Sequence, residues 1–157
     1  MPGTVSASVR LAASPEEVWA WATTPEGIND EFRPWMRMTI PRSFRDASIA
    51  DLDAPVTLGR SWVLALGVVP FDWDDLHLAE IGDRSFSERS TMLSASWWHH
   101  DRRVEADGGG SVVHDRLAFE LRRPLRWLPG SSRLHRAVVA RIFAHRHARL
   151  AARFGRR

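Results

Sequence analysis

The stretch "WWHHDRRVEADGGGS", residues 97–111, opens with two indoles, two imidazoles, a carboxylate and two guanidiniums in succession. Such a set could ligate a metal, move a proton, grip a nucleic acid or form the polar end of a pocket. Read as a strand, it splits into two faces, because successive side chains point to opposite sides. Trp98, His100, Arg102 and Val104 share one face; Trp97, His99, Asp101 and Arg103 share the other. The second face ends in charge and the first in Val104, so the first is assigned inward. The same alternation turns Val113, Asp115, Leu117, Phe119 and Leu121 inward on the next strand. On the preceding one Phe86, Glu88, Ser90 and Met92 share a face. Glu88, Arg102 and Asp115 then meet from three neighbouring strands. A buried arginine needs carboxylate partners and satisfied donors. The trio reads either as an ion-pair network bracing the sheet or as the polar end of an apolar pocket. In the second case Arg102 or His100 would orient a ligand's oxygen.

Other chemistries can be weighed on the same residues. His100 beside Asp115 is the pairing used for proton transfer, although a lone inward histidine also serves as a satisfied core residue. A metal site would need His100, Asp115 and Glu88 to converge. In the segment "HRH", His145 and His147 lie about 200° apart on a helix, too far round to chelate one ion. No metal and no cofactor are expected. Arg146 falls near the centre of that helix's apolar arc; it either snorkels to an edge or meets an acid across the interior, with Asp115 or Glu88 the candidates. A carboxylate facing two arginines would stay ionised and be a poor general acid. Cysteine, lysine and tyrosine are all missing, which removes thiolate, Schiff-base and phenol chemistry. "DGGGS" joins strands and opens no helix, so it is not a phosphate loop.

The elements that must position these groups follow from periodicity. Thr4–Ala12 puts Val5, Ala7, Val9 and Leu11 on one face of a strand. In "ASPEEVWAWATTPEGI", Ser14 is a natural N-cap, Pro15 suits the first turn and Glu17 completes a capping box. Pro25 ends that helix, and a second short one covers Pro25–Glu31. Strands follow at Met36–Ile40, at Arg60–Val69 (apolar on both faces, hence central), around Leu76–Ile81, at Ser85–Leu93 and at Ser96–Ala106. The "ADGGGS" turn leads into a last strand, Val112–Leu121. The long polar segment between Pro41 and Leu58 is a candidate lid. A closing helix, Ser132–Phe154, carries Leu134, Val138, Val139, Ile142, Phe143, Leu150 and Phe154 within an arc of about 200°.

Composition sets the outer bounds. The chain has 157 residues, 44% of them hydrophobic and 26% charged, enough for one domain with its own core over residues 1–157. The longest apolar run, Trp62–Phe71, is about half a membrane span, and the N-terminus lacks a secretory pattern. A cytoplasmic protein without stable membrane insertion is expected, as a monomer or homodimer. After Glu120 come eleven arginines and no acid; before it stand eleven arginines and all 19 acids, 11 − 19 = −8. A basic tail can mean nucleic acid or anionic lipid. Here Arg133, Arg136, Arg141, Arg149 and Arg153 form no single stripe, so the tail reads as complementing an acidic body, with no nucleic acid partner.

Two segments carry a family likeness. "SPEEVWAWATTPEGINDEF", with its capped helix and tryptophan pair, resembles the opening of the START-like, or SRPBCC, superfamily. "WWHHDRRVEADGGGSVVHDRLAFELR" and "IFAHRHARLAARF" look like a bacterial branch of uncharacterised SRPBCC proteins. The resemblance implies an α+β helix-grip (Bet v 1-like) fold, a curved antiparallel sheet around one long C-terminal helix. It also implies a cavity for a lipid, isoprenoid or polyketide-like molecule, with cyclase, dehydratase or hydrolase activity in a minority. On that scaffold Trp35, Trp62, Trp98, Phe119, Ile142 and Phe143 are the candidate apolar walls. Glu88, His100, Arg102, Asp115 and Arg146 are the candidate polar end, and His100 with Asp115 the candidate catalytic pair.

Overall fold

The computed structural model describes residues 2–157. Seven strands form one antiparallel sheet: β1 Gly3–Leu11, β2 Met36–Met38, β3 Val56–Ala65, β4 Val69–Gly82, β5 Ser85–Met92, β6 Ala95–Asp107 and β7 Gly110–Leu121. Their spatial order is β1-β7-β6-β5-β4-β3-β2, so β3 to β7 run as a meander and β1 closes onto β7. Helices α1 Pro15–Ala22 and α2 Pro25–Phe32 fill the crossing between β1 and β2. Helix α3, Ser131–Phe154, packs along β1 and against α2. This is the expected helix-grip arrangement.

Local chemistry explains the element ends. The Ser14 hydroxyl accepts from the Glu17 N–H while the Glu17 carboxylate accepts from the Ser14 N–H, the capping box read from sequence. Thr24 caps α2 by accepting from Gly27 N–H at 3.0 Å. A Cβ at Gly27 would lie 1.9 Å from the Trp21 carbonyl oxygen, so only glycine lets the two helices join this closely. Helix α3 is tied back to β1, because Ala12 N–H donates to the Gly155 carbonyl.

Two expectations change. The run Arg60–Val69 is not one central strand; it breaks at residues 66–68, where Leu66 (φ 51°) and Gly67 (φ 80°) reverse the chain from β3 into β4. Left-handed backbone at both positions suits a tight hairpin turn, and uniform apolarity concealed it. The segment 41–58 is not a free lid. It holds two short 3-10 turns, Arg42–Phe44 and Ile49–Asp51, whose Phe44 and Ile49 are buried. Ile49 N–H donates to the Thr23 carbonyl and the Ser48 hydroxyl to that of Thr23, which fastens the segment over one end of the sheet.

The core consists of two apolar clusters. One gathers Val9, Leu11, Val18, Trp19, Phe44, Leu78, Phe86, Val104, Val113 and Leu150. The other gathers Val5, Leu117, Phe119, Val139 and Phe143. Along β7 the chain passes from Val113 to Leu117 through Asp115. Along β6 it passes from Val104 to Trp98 through Arg102 and His100, and along α3 from Leu150 to Phe143 through His147 and Arg146. A polar layer thus divides the interior. Among the described residues, no helix is long and apolar enough to cross a membrane.

Candidate functional site

The polar layer is built on Arg102 from β6, which is 1% exposed. Its Nε and Nη2 donate to the two oxygens of Asp115 at 2.8 and 2.7 Å. Its Nη1 and Nη2 donate to Glu31 Oε2 and Oε1 at 2.8 and 2.9 Å. Four of the bonds a planar guanidinium can make are therefore spent on two carboxylates. Arg146 adds a bond from Nε to Glu31 Oε1 at 3.0 Å, and its guanidinium lies between the rings of Phe32 and Phe143, 4.7 Å from each. Asp115 also accepts from His100 Nε2 and His147 Nε2, both at 2.6 Å. Because an ionised carboxylate only accepts, both imidazoles carry their proton on Nε2 there.

Electrostatics follow from this geometry. Burial alone would push Asp115 up, but the charge and bonds of Arg102, with His100, hold its carboxyl well below the usual range. Burial likewise works against ionised Glu31, and Arg102 with Arg146 outweighs it. Arg102 is held protonated against burial by Asp115 and Glu31. For Arg146 burial wins and lowers its pKa from the ordinary arginine value. Two arginines thus stand against two ionised carboxylates in the layer.

Above the layer lies a cavity of about 290 Å³ between the sheet and helices α2 and α3. Its wall is mainly apolar, with Phe32, Met36, Val63, Leu76, Phe86 and Trp98 joined by Val139, Ile142 and Phe143 from α3. His100, Arg102 and Arg146 present their edges at one end, while Asp72, Asp74, Glu88 and His135 line the wall elsewhere. Phe71 and Val138 both line the cavity and remain about half exposed, so they mark its open side. Leu134, one turn further out on α3, is exposed.

The sequence-based candidates divide accordingly. Trp98, His100, Arg102, Glu88, Ile142, Phe143 and Arg146 all line the cavity. Asp115 and Phe119 do not; they sit one row behind, Asp115 under Arg102 and His100, Phe119 stacked on Trp98 at 5.5 Å between centroids. Trp35 and Trp62 are corrections, since they are 61% and 40% exposed and lie outside the wall. The side chain of Trp62 meets that of Trp73 on the outer face, where Arg60 covers Trp73, and Met36, Met38 and Val63 take the places assigned to the two tryptophans. Glu88 is not a partner of Arg102, and neither Asp115 nor Glu88 bonds Arg146; Glu31 serves both arginines.

Glu31, His147 and Asp74 escaped sequence reading. Glu31 follows Ile28 by three positions, placing it on the inward face of α2. Asp74 shares the alternating face of Leu76 and Leu78, which fixes it inward once those two are. His145 and His147 do part company: His145 Nε2 lies 2.6 Å from the Arg33 carbonyl. Much of the basic tail is folded onto the body, with Arg126 paired to Glu120, Arg149 to Asp30 and Arg153 over Trp21.

The fold recurs in solved structures at low sequence identity. A protein of Chromobacterium violaceum superposes with a TM-score of 0.73 at 11% identity, covering 99% of each chain. A START superfamily protein from Mycobacterium smegmatis gives 0.69 at 13% identity, over 97% of each. An aromatase/cyclase from a Streptomyces species gives 0.69 at 15% identity, over 98% of this chain and 93% of that one. These likenesses establish the START-like helix-grip fold. No curated protein matches the sequence. The family model described as Domain of unknown function (DUF8410) matches residues 9–154, and the chain belongs to that family.

Proposed function

We propose that this protein binds an apolar small molecule in the cavity between sheet and α3. The observation that carries the reading is the cavity itself: about 290 Å³, with a mainly apolar wall, near the lower end of ordinary ligand pockets. Trp98, Ile142 and Phe143 would supply apolar contact, and His100, Arg102 and Arg146 a polar end. Asp115 and Phe119 hold those groups from behind. The open side beside Phe71 and Val138 gives a path of entry. The likeness to proteins described as a START superfamily member and an aromatase/cyclase supports the same reading. So does the folding of the basic tail onto the body, which leaves fewer arginines for a nucleic acid. The family match over residues 9–154 supports one domain.

A second reading rests on His100. Its Nε2 is held by Asp115 at 2.6 Å while the ring lines the cavity, the arrangement of an oriented general base. A cyclase- or hydrolase-type reaction on the bound molecule would use that pair.

Native mass spectrometry of freshly purified protein, with organic extraction, tests the first reading. An apolar, non-covalent adduct is expected. A bare protein that also takes up no decan-1-ol would overturn it. If a compound is recovered, turnover by the native protein and its loss in Asp115→Asn separate the enzyme from the carrier.

A further inference from the structure

Asp74 and Glu88 stand apart from the polar layer. On β4 the inward face runs Asp72, Asp74, Leu76, Leu78; on β5 it runs Glu88, Ser90, Met92, with Asp74 paired to Met92 and Leu78 to Glu88. The two carboxyls therefore lie diagonally across neighbouring strands, both lining the cavity and only 4% and 7% exposed. Asp74 Oδ1 and Glu88 Oε2 have no hydrogen-bond partner. Among the described residues, neither forms an ion pair.

Two buried carboxyls side by side repel one another when both are ionised. Burial, reinforced by the charge of Glu88, holds the Asp74 carboxyl well above the usual carboxylate range. The pair presents two open oxygens to the cavity. Among the described residues no cation pairs with it. Arg102 and Arg146 are committed to Glu31 and Asp115. Burial lowers the pKa of His135, across the cavity on α3, and so works against its charged form. Asp72 is occupied by the Ser94 hydroxyl and the amides of Trp73 and Ser94 and adds negative potential.

We infer that Asp74 and Glu88 form a subsite for the protonated amine of an apolar ligand, an inference that rests on the pocket reading above. An ammonium brings three N–H donors and a positive charge, and so can satisfy both open oxygens and offset the repulsion between the two carboxyls. A hydroxyl brings one donor and no charge. A carboxylate is repelled.

Calorimetric titration of the full chain at pH 7 with decylamine, decan-1-ol and decanoate tests this, because the three probes share an apolar tail. The amine should bind at least about tenfold tighter than the alcohol, the scale of one charge-assisted hydrogen bond, and decanoate weakest. In Asp74→Asn and in Glu88→Gln, with folding checked by circular dichroism, the amine-to-alcohol ratio should fall towards one. Equal affinity for amine and alcohol in the native protein, or a ratio that survives both substitutions, overturns the amine subsite while leaving the pocket standing. Failure of every probe to bind overturns both readings.

Discussion

Glu31 and Asp115 in one part of the interior, Asp74 and Glu88 in another, are buried carboxyls with opposite surroundings. The first two receive seven hydrogen bonds from Arg102, Arg146, His100 and His147. The second two have an open oxygen each and no cation. The first pair also ties α2 and α3 to the β6–β7 hairpin, three parts of the chain far apart in sequence. The second spans only β4 and β5, which the meander already joins. Saturation marks groups that hold the fold; open acceptors mark groups that face something the protein does not supply. On the proposals above, Glu31 and Asp115 brace the fold from behind, while the cavity-lining His100, Arg102 and Arg146 at one end and Asp74 and Glu88 elsewhere supply the polar lining.

The sharpest way to break that contrast is Arg102→Met. It removes four donors at once and leaves Glu31 and Asp115 buried with too little positive charge. The expected loss is about 3–5 kcal/mol of unfolding free energy, read from the midpoint and slope of urea denaturation. A loss under about 1 kcal/mol would mean that the layer holds little together.

Asp115→Asn comes next, at about 2–3 kcal/mol, since it leaves one guanidinium and two imidazoles partly unpartnered. Its pH dependence is more telling than its size. The folded pKa values of Asp115 and Glu31 lie below the ordinary range, so they contribute stability above pH about 4, the unfolded value. That contribution disappears as pH falls through the depressed folded values, where the unfolded chain binds the protons more readily. Stability of the native protein should therefore drop steeply below pH about 4, and Asp115→Asn should flatten that slope. An unchanged acid slope would place the stabilising ionisation elsewhere.

How far sequence alone reached depended on range. Alternation on β5, β6 and β7 put Glu88, His100, Arg102 and Asp115 inward, and all four are buried, because a strand's period of two fixes its faces without knowledge of the fold. Arg146 was readable as an anomaly on an apolar helical arc. Its partner was not, because the Glu31 contact spans 115 positions and depends on how α2 docks on α3. Of the two acids placed beside Arg102 from the sequence, Asp115 bonds it and Glu88 does not; Glu31 takes that place, because strand adjacency is visible in the sequence, whereas helix docking is not. Trp35 and Trp62 failed for a different reason. Bulk and apolarity suggested a wall, but Trp35 lies in the turn before β2 and Trp62 on the outward phase of β3, where large apolar residues are common enough. Of the charged cluster at residues 97–103, the sequence separated inward from outward members correctly; which inward ones meet a ligand depends on the cavity.

The smallest effect expected is also opposite in sign, and for that reason it separates the two regions most cleanly. Asp74 has a folded pKa above its unfolded one. The folded state prefers it protonated, so stability is lost as pH rises from about 4, the unfolded value, towards the raised folded value. Asp74→Asn removes an ionisable group that has no ion-pair partner among the described residues, while keeping its shape. It should gain about 1 kcal/mol at pH 7 and lose no stability below pH 4, with the gain growing between those limits in a denaturation series. Substituting a carboxylate in the saturated layer cannot produce that result, because there the ionised form is the stabilising one. If Asp74→Asn instead destabilises the protein at neutral pH, Asp74 belongs with Asp115 as a brace. The open oxygens would then be no sign of a missing ligand group.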